Sequence, residues 1–381
     1  MTTGKKDFLK AGVLSLPRYN PGLAETAVRE RYSLEHITRL ASNENPFGIS
    51  THAEQAAREA LSDLWKYSDP DSTELRLALS RKTGIAAGKI VIGNGSEDLI
   101  AVICRACLDK GDRVVTVHPS FLLHEIYPAE QGAHVITIPM SADFGFNIDG
   151  LISELNRGCK MLIFSNPSNP VGTMIDSEGF SRICKAASPD TILVVDEAYY
   201  EYAAAKEQFP DSLALLRQRN HPYAVLRTFS KAYGLAGLRV GYGYFSDTRF
   251  ADHINKLRTP FNVNSLAQTA ARAALEDKEH LVNTIQHNSR ERSRVSTQLR
   301  RHGYRVAESH ANFIFLDTGH NSLPIAERLL AQGIIVKPWT AKGYENFLRV
   351  TIGKAEDNDL FLKWFIRHMS TPDSANDKAG A

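Results

Sequence analysis

The stretch Arg227-Thr-Phe-Ser230-Lys231-Ala-Tyr-Gly-Leu-Ala-Gly-Leu-Arg239-Val-Gly241 decides how the rest of this sequence is interpreted. It connects two short apolar runs, 223–226 and 239–244, each of which predicts a buried strand. Lys231 therefore falls in a glycine-containing connection where a strand has just ended. A lysine amine at that position can form a Schiff base, with Ser230 and Arg239 beside it as phosphate-binding groups. A solvated lysine on an ordinary loop is the alternative, and the flanking sequence has to decide.

Short β-branched runs alternate with helical stretches on both sides of this segment, from about residue 89 to 245. The pattern predicts strands at 90–92, 113–117, 133–138, 160–165, 191–195, 223–227 and 239–244, and helices near 96–108, 120–130 and 176–187. Such alternation predicts an α/β fold whose mostly parallel seven-stranded sheet has helices on both faces. Ligands of such sheets bind outside the carboxyl ends of the strands, so the residues that follow each strand are the candidates for function.

Two of these strand ends carry groups suited to a charged ligand. Gly93-Asn94-Gly95-Ser96-Glu97 is a small-residue turn that opens a helix, and free backbone N–H groups there can bind phosphate. A simple helix cap by Ser96 is the alternative. Asp196 follows a buried apolar run, where a carboxylate is costly without a cationic partner. A protonated pyridine nitrogen is one such partner, and a helix-capping aspartate is the alternative.

Three further residues follow predicted strands and can contact a flat aromatic ligand. Tyr199 lies three residues after the aspartate and can reach a phenolic oxygen of the same ring. Asn169 lies in a rigid, proline-containing turn and can donate its amide to an anionic oxygen. Phe121 can stack on the ring, although in most proteins such a residue is a plain core aromatic.

Composition and charge narrow the class of protein. The chain has 381 residues, which favours a large domain and a smaller one. Its 45 Lys and Arg residues nearly balance 43 Asp and Glu residues, so the basic charge excess of a nucleic-acid binder is missing. No apolar run approaches the roughly 20 residues of a membrane span. The four cysteines show neither a disulfide pattern nor a metal-ligand pattern, which favours a reducing cytoplasm and no metal site.

Changes in composition and periodicity along the sequence predict four regions. Residues 1–40 form an irregular N-terminal arm that packs on the small domain, and residues 41–262 form the large cofactor-binding domain. Residues 263–369 form a small α+β domain with its own sheet, and residues 370–381 form a polar, disordered tail.

The motifs together resemble a known family. Phe121, Asn169, Asp196, Tyr199 and the Ser230-to-Arg239 segment occur in the order and at the strand ends of the fold-type I pyridoxal-phosphate (PLP) aminotransferases. Within that class, the chain is most similar to the histidinol-phosphate aminotransferase group. The similarity extends from Leu16-Pro-Arg-Tyr19 to Leu348-Arg349-Val-Thr-Ile-Gly353, which is nearly the whole chain.

The resemblance implies a role for each matching residue. Lys231 would bind PLP covalently and then act as the base, and Asp196 would pair with the ring nitrogen. Asn169 and Tyr199 would bond the phenolic oxygen of the cofactor, and Phe121 would stack on its ring. The phosphate would be held by Ser230, Arg239 and the backbone of Ser96 and Glu97. Tyr67 would reach the phosphate of the neighbouring subunit's cofactor, which makes the active unit a homodimer.

The resemblance also implies the substrates, which are a small amino donor and 2-oxoglutarate. Arg349 matches the family arginine that binds the carboxylate of glutamate or the phosphate of histidinol phosphate, and Tyr19 and Asn94 would assist. The family usually has a second arginine where this chain has Lys337, followed by Pro338-Trp339. This departure leaves an aromatic amino-acid aminotransferase open as the alternative to histidinol-phosphate transamination in histidine biosynthesis.

Two other classes share the scaffold. A phospho-amino-acid decarboxylase would release CO₂ without needing 2-oxoglutarate. A non-catalytic PLP-binding domain of a transcription regulator would need a DNA-binding module before it, for which the 40 residues of the arm are too short.

Overall fold

A computed structural model of the chain describes residues 9, 11–14, 16–17, 25–219 and 221–369. The strands of this part are β1 Thr38–Leu40, β2 Ile90–Gly93, β3 Arg113–His118, β4 His134–Pro139, β5 Met161–Ser165, β6 Ile192–Asp196, β7 Tyr223–Thr228, β8 Gly241–Phe245, β9 Arg305–Val306, β10 Phe313–Asp317, β11 Ile334–Pro338 and β12 Phe347–Thr351. The helices are α1 Ala11–Leu14, α2 Glu25–Tyr32, α3 Thr51–Glu59, α4 Thr73–Thr83, α5 Ser96–Cys107, α6 Leu123–Glu130, α7 Ile148–Asn156, α8 Ser177–Ala186, α9 Tyr200–Ala203, α10 Ser212–Arg217, α11 Thr248–Leu257, α12 Ser265–Glu276, α13 Lys278–Arg301, α14 Ser322–Leu330 and α15 Ala355–Met369.

The larger sheet has seven strands in the order β2-β8-β7-β6-β5-β3-β4. Strand β8 is antiparallel to both of its neighbours, and the other pairs are parallel. Every residue of β5, β6 and β7 is buried, as expected for parallel strands with helices on both faces. The predicted α/β class with a mostly parallel seven-stranded sheet is therefore confirmed, and the strands begin and end within two residues of the predicted bounds.

Apolar side chains of the helices close both faces of this sheet. Leu99 and Ile103 of α5 are buried on one face. On the other face Phe180 of α8 packs against Phe164 of β5 with ring centroids 6.3 Å apart. Burying a side chain of this size stabilises the fold by roughly 1.5–3 kcal/mol. The sheet is thus held firmly, and the loops at its carboxyl edge are attached to a rigid base.

Several helices begin at an Asp or Asn whose side chain accepts a hydrogen bond from the first turn. Asp176 accepts from Gly179 N at 2.7 Å before α8, and Asn264 accepts from Ala267 N at 2.8 Å before α12. Helix α5 differs because its N-cap is Gly95, which has no side chain to offer. The first turn of α5 therefore keeps N–H groups that no capping side chain satisfies.

The smaller sheet has five strands in the order β1-β11-β12-β10-β9, with β1 parallel to β11 and the other pairs antiparallel. Its apolar face packs on α13, α14 and α15 through buried residues such as Leu299, Leu329 and Phe365. This sheet is the core of the second, α+β unit of the chain.

The structure departs from the predicted arm. Residues 25–40 are not irregular, because they form α2 and β1, and β1 is a full member of the smaller sheet. The alternating burial of Thr38, Arg39 and Leu40 explains the strand, and Val28 of α2 packs with Leu330 and Ile335 of the small unit. The predicted tail, 370–381, lies outside the described residues.

Helix α12 packs on the large unit, although the sequence predicts residues 263–276 in the small domain. Its buried residues belong to the same apolar cluster as Ala53 of α3, and they are Ala267, Ala270 and Ala271, with Val263 just before the helix. The alanine-rich face of α12 allows this close approach to the large unit. After residue 263, the first helix that contributes to the core of the small unit is α13, which follows Asp277.

In the part of the chain that the structure describes, no helix combines the length and the apolar character needed to cross a membrane.

Candidate active site

A cavity lies at the carboxyl edge of the larger sheet, where β5, β6 and β7 end. It brings together the sequence-predicted cofactor-binding residues other than Tyr67, and it adds Ala198 and Thr228. The lining residues are Ser96, Glu97, Phe121, Asn169, Asp196, Ala198, Tyr199, Thr228, Ser230, Lys231 and Arg239. The strand-end rule therefore locates these side chains in one place.

Lys231 lies three residues after β7, with its amine in the cavity. Its Nζ donates a hydrogen bond to the carbonyl oxygen of Ser42 at 3.1 Å. Burial lowers the pKa of this amine from 10.5 to about 8, helped by the positive charges of Arg349 and Arg239. A much larger fraction of the amine is thus neutral and nucleophilic near pH 7 than for a solvated lysine.

Asp196 is the last residue of β6 and only 4% exposed. Its Oδ1 accepts from Ala198 N at 3.1 Å, and its Oδ2 lies 3.3 Å from Nε2 of the fully buried His124. The ring of His124 also meets the ring of Phe121 edge to face, with centroids 5.5 Å apart. A buried carboxylate in this setting can accept from a protonated ring nitrogen in the cavity.

The opposite end of the cavity is built for an anion. Arg239 has φ +57° and lies beside the first turn of α5, with Nη2 3.9 Å from a carboxylate oxygen of Glu97. A Cβ on Gly95 would lie only 2.6 Å from this same Nη2, so the guanidinium would have to move aside, and the φ of +83° at this position also favours glycine. Because the N-cap is Gly95, the alternative of a Ser96 side-chain cap is wrong. Ser230, which accepts from Thr228 Oγ1 at 3.0 Å, completes this group.

Tyr199 and Asn169 connect the cavity to the smaller sheet. Tyr199 Oη accepts a hydrogen bond from Asn43 Nδ2 at 2.8 Å. Asn169 Oδ1 accepts from Arg349 Nη1 at 2.7 Å, and Arg349 Nη2 donates to Ala41 O at 2.6 Å. Arg349 of β12 is therefore part of the same hydrogen-bonded assembly as the cavity wall.

Lys337 pairs with Arg349 across the antiparallel strands β11 and β12, so two cations lie side by side. Burial lowers the pKa of Lys337 to about 8, and the charge of Arg349 contributes in the same direction. The guanidinium carbon of Arg349 also lies 5.8 Å from the ring centroid of Trp339. Such a cluster suits an anionic group of a substrate, which would favour the charged form of Lys337 and balance the charge of Arg349.

Among the described residues, four predicted site residues do not line the cavity, namely Asn94, Tyr67, Lys337 and Arg349. Tyr19 lies outside the described residues. Asn94 is exposed, and its backbone N–H donates to Asp98 Oδ2 at 2.9 Å. Tyr67 is 83% exposed and stacks on Phe261 with ring centroids 4.6 Å apart.

Sequence reasoning did not identify Asn43 and His124 as site residues. Asn43 opens the turn-rich run Asn43-Glu44-Asn45-Pro46, but this run precedes the alternating pattern and follows no strand of the larger sheet. His124 lies inside a predicted helix, where a histidine carries no signal of its own. Among the described residues, no group of three or more His, Cys, Asp and Glu side chains is arranged to hold a metal ion.

Comparison with known proteins gives one consistent result. The profile of the family described as Aminotransferase class I and II matches residues 35–365. Histidinol-phosphate aminotransferase 1 of Mesorhizobium japonicum is 43% identical over 356 residues, covering 93% of this chain and 97% of that relative. Histidinol-phosphate aminotransferase 3 of Rhizobium meliloti is 41% identical, covering 93% of this chain and 95% of that relative.

A solved structure shares the fold. The crystal structure of histidinol-phosphate aminotransferase from Sinorhizobium meliloti in complex with pyridoxal-5'-phosphate has a TM-score of 0.87 and 28% sequence identity. The match covers 96% of this chain and 99% of that one.

Proposed function

The chain belongs to the class I and II aminotransferases, and from this we propose that it transfers the amino group of histidinol phosphate to 2-oxoglutarate with bound PLP. The observation that carries the proposal is the cavity in which the half-buried amine of Lys231, the carboxylate of Asp196 and the cation of Arg239 converge. The curated relatives that share 41–43% of its residues supply the reaction.

The residues present fit PLP. The cofactor has a phosphate, a ring nitrogen, a phenolic oxygen and an aldehyde, and the cavity offers a group for each. The uncapped first turn of α5, with Arg239 and Ser230, would hold the phosphate. Asp196 would hold the ring nitrogen, Tyr199 and Asn169 the phenolic oxygen, and Lys231 the aldehyde carbon.

When bound, PLP supplies a cationic ring that withdraws electrons from the amino-bearing carbon of the substrate. The buried carboxylate of Asp196 would keep a proton on the ring nitrogen, because a negative charge beside that nitrogen stabilises its protonated form. Lys231 Nζ would take the proton from the substrate's Cα, and its pKa, lowered to about 8, suits a base that works near neutral pH. Phe121 would cover one face of the ring and help exclude water.

The smaller sheet would select the substrate. Arg349 can bind a carboxylate or a phosphate through two parallel hydrogen bonds, and Lys337 beside it adds a second positive charge. Tyr19 and Asn94 are proposed to assist. The two cations together favour a phosphate-bearing donor, because a phosphate dianion has charge for both.

A second candidate is transamination of phenylalanine or tyrosine. The indole ring of Trp339 near Arg349 favours this candidate, because it offers an aromatic surface next to the cation that would bind the donor. Lysine at position 337 also lacks the rigid fork with which an arginine binds phosphate.

We further propose a homodimer in the cytoplasm. Tyr67 and Trp65 are more than four-fifths exposed, and Leu61, Leu64 and Phe261 are at least two-fifths exposed. A surface this apolar favours burial against a second copy, and Tyr67 would then reach the partner's phosphate site. The four cysteines are free thiols, which suits a reducing compartment.

The proposal is tested by a coupled assay of the purified holoenzyme with histidinol phosphate, phenylalanine and tyrosine as amino donors, compared by kcat/KM. We expect histidinol phosphate to be preferred. A kcat/KM for histidinol phosphate a hundredfold or more below that for an aromatic donor would exclude the proposed substrate. Turnover without 2-oxoglutarate would exclude transamination.

A further inference from the structure

Asn43 lies between the cavity wall and the smaller sheet, and both ends of its side chain are used. The residue is 1% exposed. Its Nδ2 donates to Tyr199 Oη at 2.8 Å, and its Oδ1 accepts from Thr351 Oγ1 at 3.1 Å. The amide therefore connects the last residue of β12 to a side chain of the proposed cofactor site.

The backbone of Asn43 is held as firmly as its side chain. Its N–H donates to Thr351 Oγ1 at 2.9 Å, and its carbonyl oxygen accepts from Asn312 Nδ2 at 3.0 Å. Its φ of +56° lies in the left-handed region, which asparagine tolerates better than most residues. The position is thus fixed from three sides.

These contacts favour one direction of the amide. The Thr351 hydroxyl accepts from the backbone N–H of Asn43 and donates its single hydrogen to Asn43 Oδ1. In this arrangement the oxygen end of the amide faces Thr351 and the NH₂ end faces Tyr199. An NH₂ group can only donate, so Tyr199 accepts from Asn43, and its own hydrogen is not shared with that residue.

We propose that Asn43 is a positioning residue that directs the Tyr199 hydroxyl, as a donor, at the phenolic oxygen of bound PLP, and that Thr351 sets the direction of the Asn43 amide. This inference rests on the proposed function. The inference adds to that function a role for Asn43, which lies outside the cavity wall: Asn43 would control one of the two contacts to the phenolic oxygen.

The decisive variant is Asn43→Asp in the PLP-bound protein. Aspartate keeps the shape and tolerates the left-handed backbone, but it replaces the donor NH₂ with an acceptor oxygen, so Tyr199 would turn its hydrogen away from the cofactor. We expect the balance between the absorption bands of bound PLP at fixed pH to change at least twofold. We also expect kcat to fall about tenfold, because the hydrogen bond from Tyr199 to the phenolic oxygen of PLP is lost. The KM for the donor should change less than about twofold, because the substrate-binding residues are unchanged.

Thr351→Val tests the second half. It removes the hydroxyl that orients the amide while keeping the side-chain volume, and we expect the same spectral change, smaller in size. Thr116→Val is the matched control, since Thr116 is a fully buried strand residue of β3 in the larger sheet. It should leave the spectrum unchanged.

A double-variant cycle separates positioning from a general structural role. In a Tyr199→Phe background, Asn43→Asp should change the spectrum by less than a quarter of its effect in the wild-type chain, because the hydroxyl it acts on is gone. An equal effect in both backgrounds, or an unchanged spectrum in Asn43→Asp protein whose thermal melting shows it folded, would overturn the inference alone. A wild-type chain that shows no PLP absorption would overturn the proposed function and the inference with it.

Discussion

The two walls of the proposed site are built in different ways. Most of the cofactor wall consists of residues at, or shortly after, the carboxyl ends of strands in one mostly parallel sheet, so a few short motifs bring Asp196, Tyr199 and Lys231 together. The substrate wall consists of Arg349 and Lys337 on two antiparallel strands of another sheet. The cofactor wall thus has its geometry set by one core, whereas the substrate wall is joined to the cavity by contacts between the two units, such as the hydrogen bond from Arg349 to Asn169. Changes to the first wall should remove the chemistry, and changes to the second should alter only the choice and affinity of the substrate.

The largest effect is expected for Lys231→Ala. Loss of the amine removes both covalent attachment of PLP and the base, so kcat should fall by more than the roughly 10²–10⁴-fold that acid–base catalysis supplies. Steady-state transamination and PLP absorption measure this, with Lys185→Ala, an exposed lysine on α8, as control. Near-native turnover by the Lys231→Ala protein would show that the chemistry does not depend on the cofactor wall.

Arg349→Ala should come next, with a loss of about a hundredfold in kcat/KM for histidinol phosphate, because two hydrogen bonds to an anionic group are removed. Arg349→Lys keeps the charge but not the fork, and it should lose about tenfold. The PLP spectrum should persist in both variants. The control is Arg305→Ala on the edge strand β9, where the arginine side chain is 60% exposed. An Arg349→Ala protein that cannot bind PLP would show that the substrate wall is also part of the cofactor wall.

A smaller effect is expected from pH. The pKa of Lys337 is lowered to about 8, so its positive charge is present below that pH and lost as the pH rises through it. The KM for histidinol phosphate should therefore rise about fivefold between one unit below and one unit above this pKa. Lys337→Arg should remove this rise, because arginine stays charged. Since Lys231 titrates in the same range, the comparison is made between wild type and variant at each pH. Equal pH profiles would show that Lys337 does not bind the phosphate.

The smallest effect is expected for Tyr67→Phe. If Tyr67 donates one hydrogen bond to the phosphate in the partner's site, its loss should raise the Kd for PLP about fivefold, corresponding to about 1 kcal/mol. Trp65→Phe, a change at an equally exposed aromatic residue of the same segment, should leave the Kd unchanged. If the protein is a monomer in solution, or if the Kd is unchanged, Tyr67 does not contribute to the cofactor site of a second chain.

Sequence reasoning located the cofactor wall well for a physical reason. Alternating runs reveal parallel strands, and the strand-end rule then places Asp196 and Lys231 at one edge without any knowledge of side-chain packing. Gly95 of the Gly93-Asn94-Gly95 turn also has a local reason, since its φ of +83° favours glycine and a Cβ there would push Arg239 away from α5.

The remaining features depend on contacts between distant parts of the chain, which leave no periodic signal. Asn43 contacts Thr351, which lies 308 positions away in the sequence. His124 of α6 contacts Asp196 at the end of β6, and several helices and strands separate the two in the sequence. For the same reason the sequence predicts an irregular arm before residue 41: the three residues of β1 are too few to show a strand pattern, and their partner strand β11 is distant in the sequence.

The pairing of β1 with β11 also orders events during synthesis. Thr38 pairs with Ile334, so β1 cannot meet β11 until the chain has grown past every strand of the larger sheet. Long-range pairing of this kind is slow, because the intervening chain must be closed into a loop before the contact stabilises anything. The larger sheet, whose strands lie between residues 90 and 245, can assemble while the chain is still growing. We therefore expect the substrate wall to close after the larger sheet has formed, and the edge of β11 that β1 covers to stay open to other chains until then.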